Sequence, residues 1–329
     1  MAALAIRRSA ITTACVVTLC ALTLRRLYRH LNTRRLSGKG STSARFTDDR
    51  PTLMFGGAAS LWCYYTGVYY YLYYKFDLTK VRTTGISMGV TTAFATVLKM
   101  TPRQKFQIGL HWAAMIWNRP LKCFFMHSDD WVETGMRITK SFDITDKDVQ
   151  KFLGSNTVYA GVTDISVFPP QHVVLSDCTS LRESLFWTTL SMRIFPFYRY
   201  PGWFRRMIIV DGVFSAMFCE PPNLDEGKAI RISPFAVPGA IVHPLYSEHF
   251  SAYDIAYSRR KSQMFSQLKI GFEAAQRAHG KLLERGLSPK ETPQTDEFGQ
   301  PGTIEHMMAM AESELEEFIK QDPLKTDWD

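Results

Sequence analysis

Residues Gly85-Ile86-Ser87-Met88-Gly89 spell a G-x-S-x-G pattern. A serine hydroxyl in that setting becomes a nucleophile once a neighbouring base takes its proton. Three fixed residues of ordinary frequency recur by chance about 0.1 times in a chain this long, so the context must decide. Ser87 ends an apolar run, VRTTGIS, that reads as a strand, and precedes MGVTTAFATVLKM, which reads as a helix. An elbow needs that strand–turn–helix setting. Gly85 and Gly89 permit the sharp turn, and the following helix aims N–H groups at the reaction centre.

The serine needs a partner. In elbow hydrolases that use histidine, the histidine comes last in the chain. His243, His249, His279 and His306 all follow Ser87. None sits in a short loop after an obvious strand with an acid before it. His279 and His306 fall in helical runs, and His243, the best placed, suits a structural role better. Asp211 offers a different solution. It closes the β-branched run RMIIVDG, and α/β sheets present functional groups at the carboxyl ends of strands. A carboxylate serves as base to a serine only in a dry site, where burial raises its pKa.

The elements that must position these residues are legible in outline. TLMFGG reads as a buried strand ending in a tight turn at Gly56 and Gly57, followed by the helix-length run SLWCYYTGVYYYLYYKF. Its tyrosines (64, 65, 69, 70, 71, 73 and 74) cover more than one face and suit a packed amphipathic helix. Two strand–turn–helix units in succession predict an α/β fold with a mostly parallel sheet. NTVYAGVTDIS and QHVVLSD alternate like paired strands. TSLRESLFWTTLSMRI reads as a helix starting near Thr179 or Ser180, and KAIRISPF as a strand. Helical periodicity runs from Ser251 to Gly286, and a last acidic helix covers TIEHMMAMAESELEEFIKQ, with Met307, Met308 and Met310 as a packing face. There are no internal repeats.

In their order along the chain these segments resemble the patatin-like phospholipases, in particular the adipose triglyceride lipase and adiponutrin branch. FGGAASLWCYYTGV is similar to the glycine-rich oxyanion loop and its helix, GISMG to the nucleophile elbow, SMRIFPFY to the segment before the aspartate strand, IIVDGVFS to the aspartate-glycine motif, and AIRISPF to the strand after it. The resemblance spans residues 50 to 250. It implies a three-layer α/β sandwich with Ser87 as nucleophile, Asp211 as its base, Gly212 completing the aspartate motif, and Gly56, Gly57 and Ala58 supplying the oxyanion hole. It also implies hydrolysis of glycerolipid acyl esters, phospholipid or triacylglycerol, through an acyl-enzyme, with no cofactor and no metal. Two alternatives stay open: a catalytically weakened lipid-binding protein of the same fold, or an acyltransferase. Ala58, Ala59 and Ser60 follow Gly57 where the family carries more glycine, Leu61 or Trp62 stands just before the helix, and Val213 follows Gly212, all of which favour the weakened reading.

Charge divides the chain. Of its 39 Lys and Arg residues, nine lie in residues 1–47, which hold no Asp or Glu. The rest is balanced, 30 basic against 31 acidic residues, so no basic face for nucleic acid is expected. Ser9 to Leu24 carries no charge and lies between Arg7-Arg8 and Arg25-Arg26. It reads as a transmembrane helix lengthened by snorkelling arginines, with the body on the cytosolic side. The competing reading is an organelle transit peptide. SGKGSTS, Ser37 to Ser43, reads as a linker. The expected organisation is a basic segment over 1–47, a catalytic domain over 48–255 and a helical extension over 256–329. The expected partners are a lipid substrate and a membrane or lipid-droplet surface, which the aromatic and basic stretch Phe195 to Met207 would suit. Cys15, Cys20, Cys63, Cys123, Cys178 and Cys219 are scattered, which fits small buried hydrophobes rather than disulfides or zinc.

Overall fold

A computed structural model describes residues 49–117, 128–153, 158–176, 178, 180–193, 201–245, 250, 260–291 and 294–321. In chain order the elements are β1 (Thr52–Phe55), α1 (Trp62–Lys75), β2 (Phe76–Asp77), β3 (Arg82–Ile86), α2 (Gly89–Val97), α3 (Pro102–Trp117), α4 (Ser128–Ser141) and α5 (Asp146–Leu153). There follow β4 (Val158–Asp164), β5 (Gln171–Leu175), α6 (Leu181–Ser191), β6 (Gly202–Phe204), β7 (Met207–Asp211), β8 (Ala229–Ile232), α7 (Lys261–Arg277), α8 (His279–Glu284), β9 (Ser288–Pro289) and α9 (Ile304–Gln321).

The fold is mixed α/β around a mostly parallel sheet ordered β6-β7-β4-β3-β1-β8, with β5 also paired to β4. β8, β1, β3 and β4 run parallel, and β5 and β7 are antiparallel to β4. The strands at the centre, β1 and β3, are buried at every residue, as expected for parallel strands covered on both faces. Ser180 caps α6, its side chain accepting from the Glu183 N–H at 3.1 Å.

Two expectations are corrected. No helix among the described residues is long and apolar enough to cross a membrane, against the expectation of a transmembrane helix. The longest, α9, carries Glu305, Glu312, Glu314, Glu316 and Glu317. Residues 9–24, which suggested a span, lie outside the described residues, as do 37–43 and residues 195–200 of the aromatic stretch. The tyrosine helix is not amphipathic either. In α1 every residue from Trp62 to Leu72 is buried, because α7, α3 and α2 pack around it.

The closest approach is to α7. A Cβ at Gly67 would stand 2.0 Å from the Leu268 carbonyl oxygen, and one at Gly271 would stand 2.1 Å from that of Tyr64. Glycine on both helices lets their backbones touch. Met264, Leu268 and Phe272 of α7 and Met307, Met310 and Leu315 of α9 join the same core as β1 and α1. The helical run after Ser251 breaks at Ala278 into α7 and α8, and Cys63, Cys178 and Cys219 are buried free thiols.

Candidate active site

Strand register brings the site together. β3 pairs with the first half of β4, ending with Ile86 opposite Gly161. β7 pairs with the second half, ending with Asp211 opposite Val162. β5 pairs with Ala160 to Asp164 and so occupies the other edge of β4. β3 and β7 therefore lie along one edge, run in opposite directions and end head to head at consecutive residues. Ser87 leaves the end of one and Asp211 is the end of the other. This meeting needs two small residues: a Cβ at Gly212 would fall 2.4 Å from the Gly161 carbonyl oxygen, and one at Gly161 would fall 2.7 Å from Ile86 Cγ1.

The elbow is strained in the way the pattern requires. Ser87 has φ 54°, a left-handed conformation that costs an L-residue on the order of 1 kcal/mol. Two bonds hold it: its N–H donates to Ser191 Oγ at 2.8 Å, and its carbonyl accepts from the Val90 N–H at 3.1 Å. The Ser191 hydroxyl in turn donates to the Gly161 carbonyl at 2.6 Å, tying α6, the elbow and β4 into one unit. Gly85 and Gly89 are needed for close approach. A Cβ at Gly85 would lie 2.5 Å from Val90 Cα, and one at Gly89 would lie 2.4 Å from the Phe55 carbonyl oxygen.

Asp211 is fully buried. Its Oδ1 accepts from the Val213 N–H at 2.8 Å and caps the turn Gly212–Phe214. Oδ2 has no hydrogen-bond partner of ordinary length among the described residues. Burial pushes the carboxyl up to about 7, against the opposing pull of the Val213 N–H and the nearby Ser87 hydroxyl. The Ser87 hydroxyl is thus close enough to the Asp211 carboxyl to act on its proton affinity, and contacts of this kind commonly tighten when substrate arrives.

The glycine loop needs one correction. Gly56 does not offer its N–H to an oxyanion, because that group donates to the Ile232 carbonyl at 3.0 Å and extends the β1–β8 ladder. The N–H groups of Gly57 and Ala58 have no backbone acceptor among the described residues. Gly57 stands beside the elbow: a Cβ there would be 3.8 Å from Ser87 Cβ and 3.1 Å from Val213 Cγ2. Met88, the N-cap of α2 and the residue after the nucleophile, carries a third N–H with no backbone acceptor among the described residues. The Trp62 indole does not fill this space. It lies on Gly109 and is 5.5 Å from the Phe106 ring, both on α3.

Two supporting residues gave no sequence signal. The Tyr65 hydroxyl donates to the Gly56 carbonyl at 2.6 Å and lies 3.3 Å from that of Ile232, pinning the loop from below. His172 contacts Ser215 Oγ at 2.9 Å, Ser215 contacts Thr163 Oγ1 at 2.8 Å, and Thr163 donates to the Asp211 carbonyl at 2.8 Å. The β4–β5 register sets His172 opposite Thr163, and nothing local in the sequence links it to Asp211. The histidines considered as bases lie elsewhere. His243 contacts Pro244, His279 contacts Tyr71, His306 contacts Tyr70 and Asp296, and His249 is outside the described residues. No family model matches the chain, and no curated protein matches it.

Proposed function

We propose that this protein is a serine ester hydrolase of patatin-like, three-layer architecture that cleaves acyl esters of glycerolipids through a Ser87–Asp211 dyad. The observation that supports it most is the head-to-head ending of β3 and β7, which sets Ser87 before a buried carboxylate with an open oxygen. In the first step Asp211 accepts the Ser87 proton while Oγ bonds to the ester carbonyl carbon. The N–H groups of Gly57, Ala58 and Met88 take the charge on the oxygen. The tetrahedral adduct collapses, the C–O bond breaks, and the alcohol leaves with the proton from Asp211. Water then repeats the sequence on the acyl-serine and releases the acid.

A lipid surface as the place of reaction is supported by exposed apolar residues on two adjacent hairpins. Phe168 is 97% and Trp203 71% exposed, with Ile165 and Val167 beside them in the chain turn after β4. Trp203 sits opposite Ile208, whose carbonyl accepts from the Ile165 N–H at 2.8 Å, so the two hairpins adjoin.

The test is hydrolysis of a soluble p-nitrophenyl ester and of phospholipid and triacylglycerol emulsions by wild type, Ser87→Ala and Asp211→Asn. Activity on the soluble ester should fall to background in Ser87→Ala and by roughly 10² to 10⁴-fold in Asp211→Asn. Equal activity in all three proteins overturns the dyad. Binding of lipid without turnover in wild type favours the lipid-binding reading instead.

A further inference from the structure

The end of α6 holds the backbone of both dyad residues. The Ser87 N–H donates to the Ser191 hydroxyl at 2.8 Å, and the Asp211 N–H donates to the Arg193 carbonyl at 2.9 Å. Ser191 is the last residue of α6, so one short turn of chain grips serine and aspartate together. Each bond stands where a strand ladder runs out. The last pair of β3 with β4 is Ile86 opposite Gly161. At the next residue a side chain is inserted between the strands: the Ser191 hydroxyl accepts from Ser87 and donates to the Gly161 carbonyl at 2.6 Å. On the other side, β6 begins at Gly202 opposite Ile209, and at Asp211 the Arg193 carbonyl supplies the acceptor instead.

Ser191 is fully buried and Ser87 is 3% exposed, so water does not readily replace the bridging hydroxyl. The bridge needs a group that accepts and donates at once, which a hydroxyl does and a methyl cannot. Without it the Ser87 N–H is left buried and without its acceptor. A left-handed serine persists only where its surroundings over-determine it. The other bond at the elbow, from the Val90 N–H to the Ser87 carbonyl, is local to the turn and does not fix it against Asp211. The Ser191 bond does, because the same helix end also holds Asp211. The remaining hydroxyls of α6 behave differently. Ser184, Thr188 and Thr189 donate to the carbonyls of Leu181, Ser184 and Phe186, one turn back on their own helix.

We propose that Ser191 is a positioning residue for the dyad, its hydroxyl fixing the Ser87 turn against β4 while the Arg193 carbonyl fixes Asp211. The inference rests on the Ser87–Asp211 reading. Ser191 takes no part in bond making. It keeps Ser87 Oγ in reach of the buried carboxyl, and a misplacement of about 1 Å there costs on the order of a hundredfold in rate. The loss falls on the chemical step and not on substrate binding.

The experiment compares the full chain as wild type, Ser191→Ala, Ser191→Cys, Ser184→Ala and Ser87→Ala on a soluble p-nitrophenyl ester. Ser191→Ala should lower kcat at least about tenfold and change KM by less than about threefold. Ser191→Cys keeps the size with a weaker hydrogen-bonding group. Its kcat should lie between those of Ser191→Ala and wild type, and it carries the test if Ser191→Ala fails to fold. Ser184→Ala removes a buried hydroxyl bonded within the same helix and should keep the wild-type kcat. Amide exchange reads the clamp without turnover: the peptide around Ser87 should exchange at least about fivefold faster in Ser191→Ala, with β8 unchanged. If Ser87→Ala is inactive while the Ser191 variants keep the wild-type kcat, this inference is overturned and the dyad stands. A loss confined to KM, an equal fall in Ser184→Ala, or unchanged exchange at the elbow also overturns it. If Ser87→Ala is as active as wild type, the dyad and its positioning residue fail together.

Discussion

At the scale of single residues, Asp211 sets the behaviour of the site. Its carboxyl sits near 7 instead of the ordinary 3.8, so the folded state holds the proton more tightly than the unfolded chain. Stability is then highest below the ordinary value, falls as pH rises from 3.8 to about 7, and bears the full cost of the buried charge above that. Catalysis runs the opposite way, because only the ionised form can take the Ser87 proton. The kcat/KM of wild type should rise with pH through a midpoint near 7. A profile flat across that range contradicts an Asp211 base. Asp211→Asn should lose activity yet melt several degrees above wild type at alkaline pH, with the gap closing in acid, as differential scanning calorimetry would record. The serine and aspartate were legible in the sequence because each stands in a short motif at a strand end. The occupied Gly56 N–H was not, since its acceptor, Ile232, lies on a strand paired from far along the chain.

At the scale of elements, the glycines determine how closely strands, elbow and loop approach. A Cβ at Gly89 would meet the carbonyl oxygens of Phe55 and Gly56 at 2.4 and 2.5 Å, and backbone cannot give way as a side chain can. Gly89→Ala should therefore destabilise by about 3 kcal/mol or more, read as a lowered urea midpoint. Gly57 is different, because its added Cβ would meet the Val213 side chain at 3.1 Å. Gly57→Ala should lower kcat/KM about tenfold by pushing the loop from Ser87, and Val213→Ala should restore most of that loss in the double variant. If the two effects simply add, the Gly57–Val213 contact does not set the loop. The strand–turn–helix units around β1 and β3 could be read from the sequence, since their glycines and apolar runs are local. α3, α4 and α5 had no such reading. In α3 Phe106, Leu110, Ala113 and Ala114 share one stripe, but Lys105 and Trp112 are buried off it and blur the pattern.

At the scale of the whole molecule, the C-terminal helices are built into the core that holds the site. α7 touches α1 backbone to backbone through Gly67 and Gly271. A polar clasp fixes the segment before α9: His306 contacts Tyr70 through Nδ1 and Asp296 through Nε2 at 2.9 Å, and Gly302 donates to the Tyr70 hydroxyl at 3.2 Å. The His306 contact holds the Asp296 carboxyl below its ordinary value, so this stabilisation is present above that value and lost as pH falls through the lower one. Asp296 is exposed enough that solvent screens the pair, and the clasp acts mainly by position. His306→Ala should speed amide exchange in α9 with little change at the elbow. Uniform loosening of both regions would show that the clasp is not local. Tyr70 and His306 are 236 residues apart, so no reading of sequence spacing could pair them.

The central claim, that Ser87 is a nucleophile activated by Asp211, is tested most directly by covalent trapping. A fluorophosphonate reacts with an activated serine Oγ, losing fluoride and leaving a phosphonyl mass on that residue. After brief exposure, peptide mass spectrometry of wild type should place the adduct on Ser87. Asp211→Asn should label at least about a hundredfold more slowly, the lower end of what a general base contributes. An adduct on another residue, no adduct at all, or labelling of Ser87 as fast in Asp211→Asn as in wild type would contradict the account.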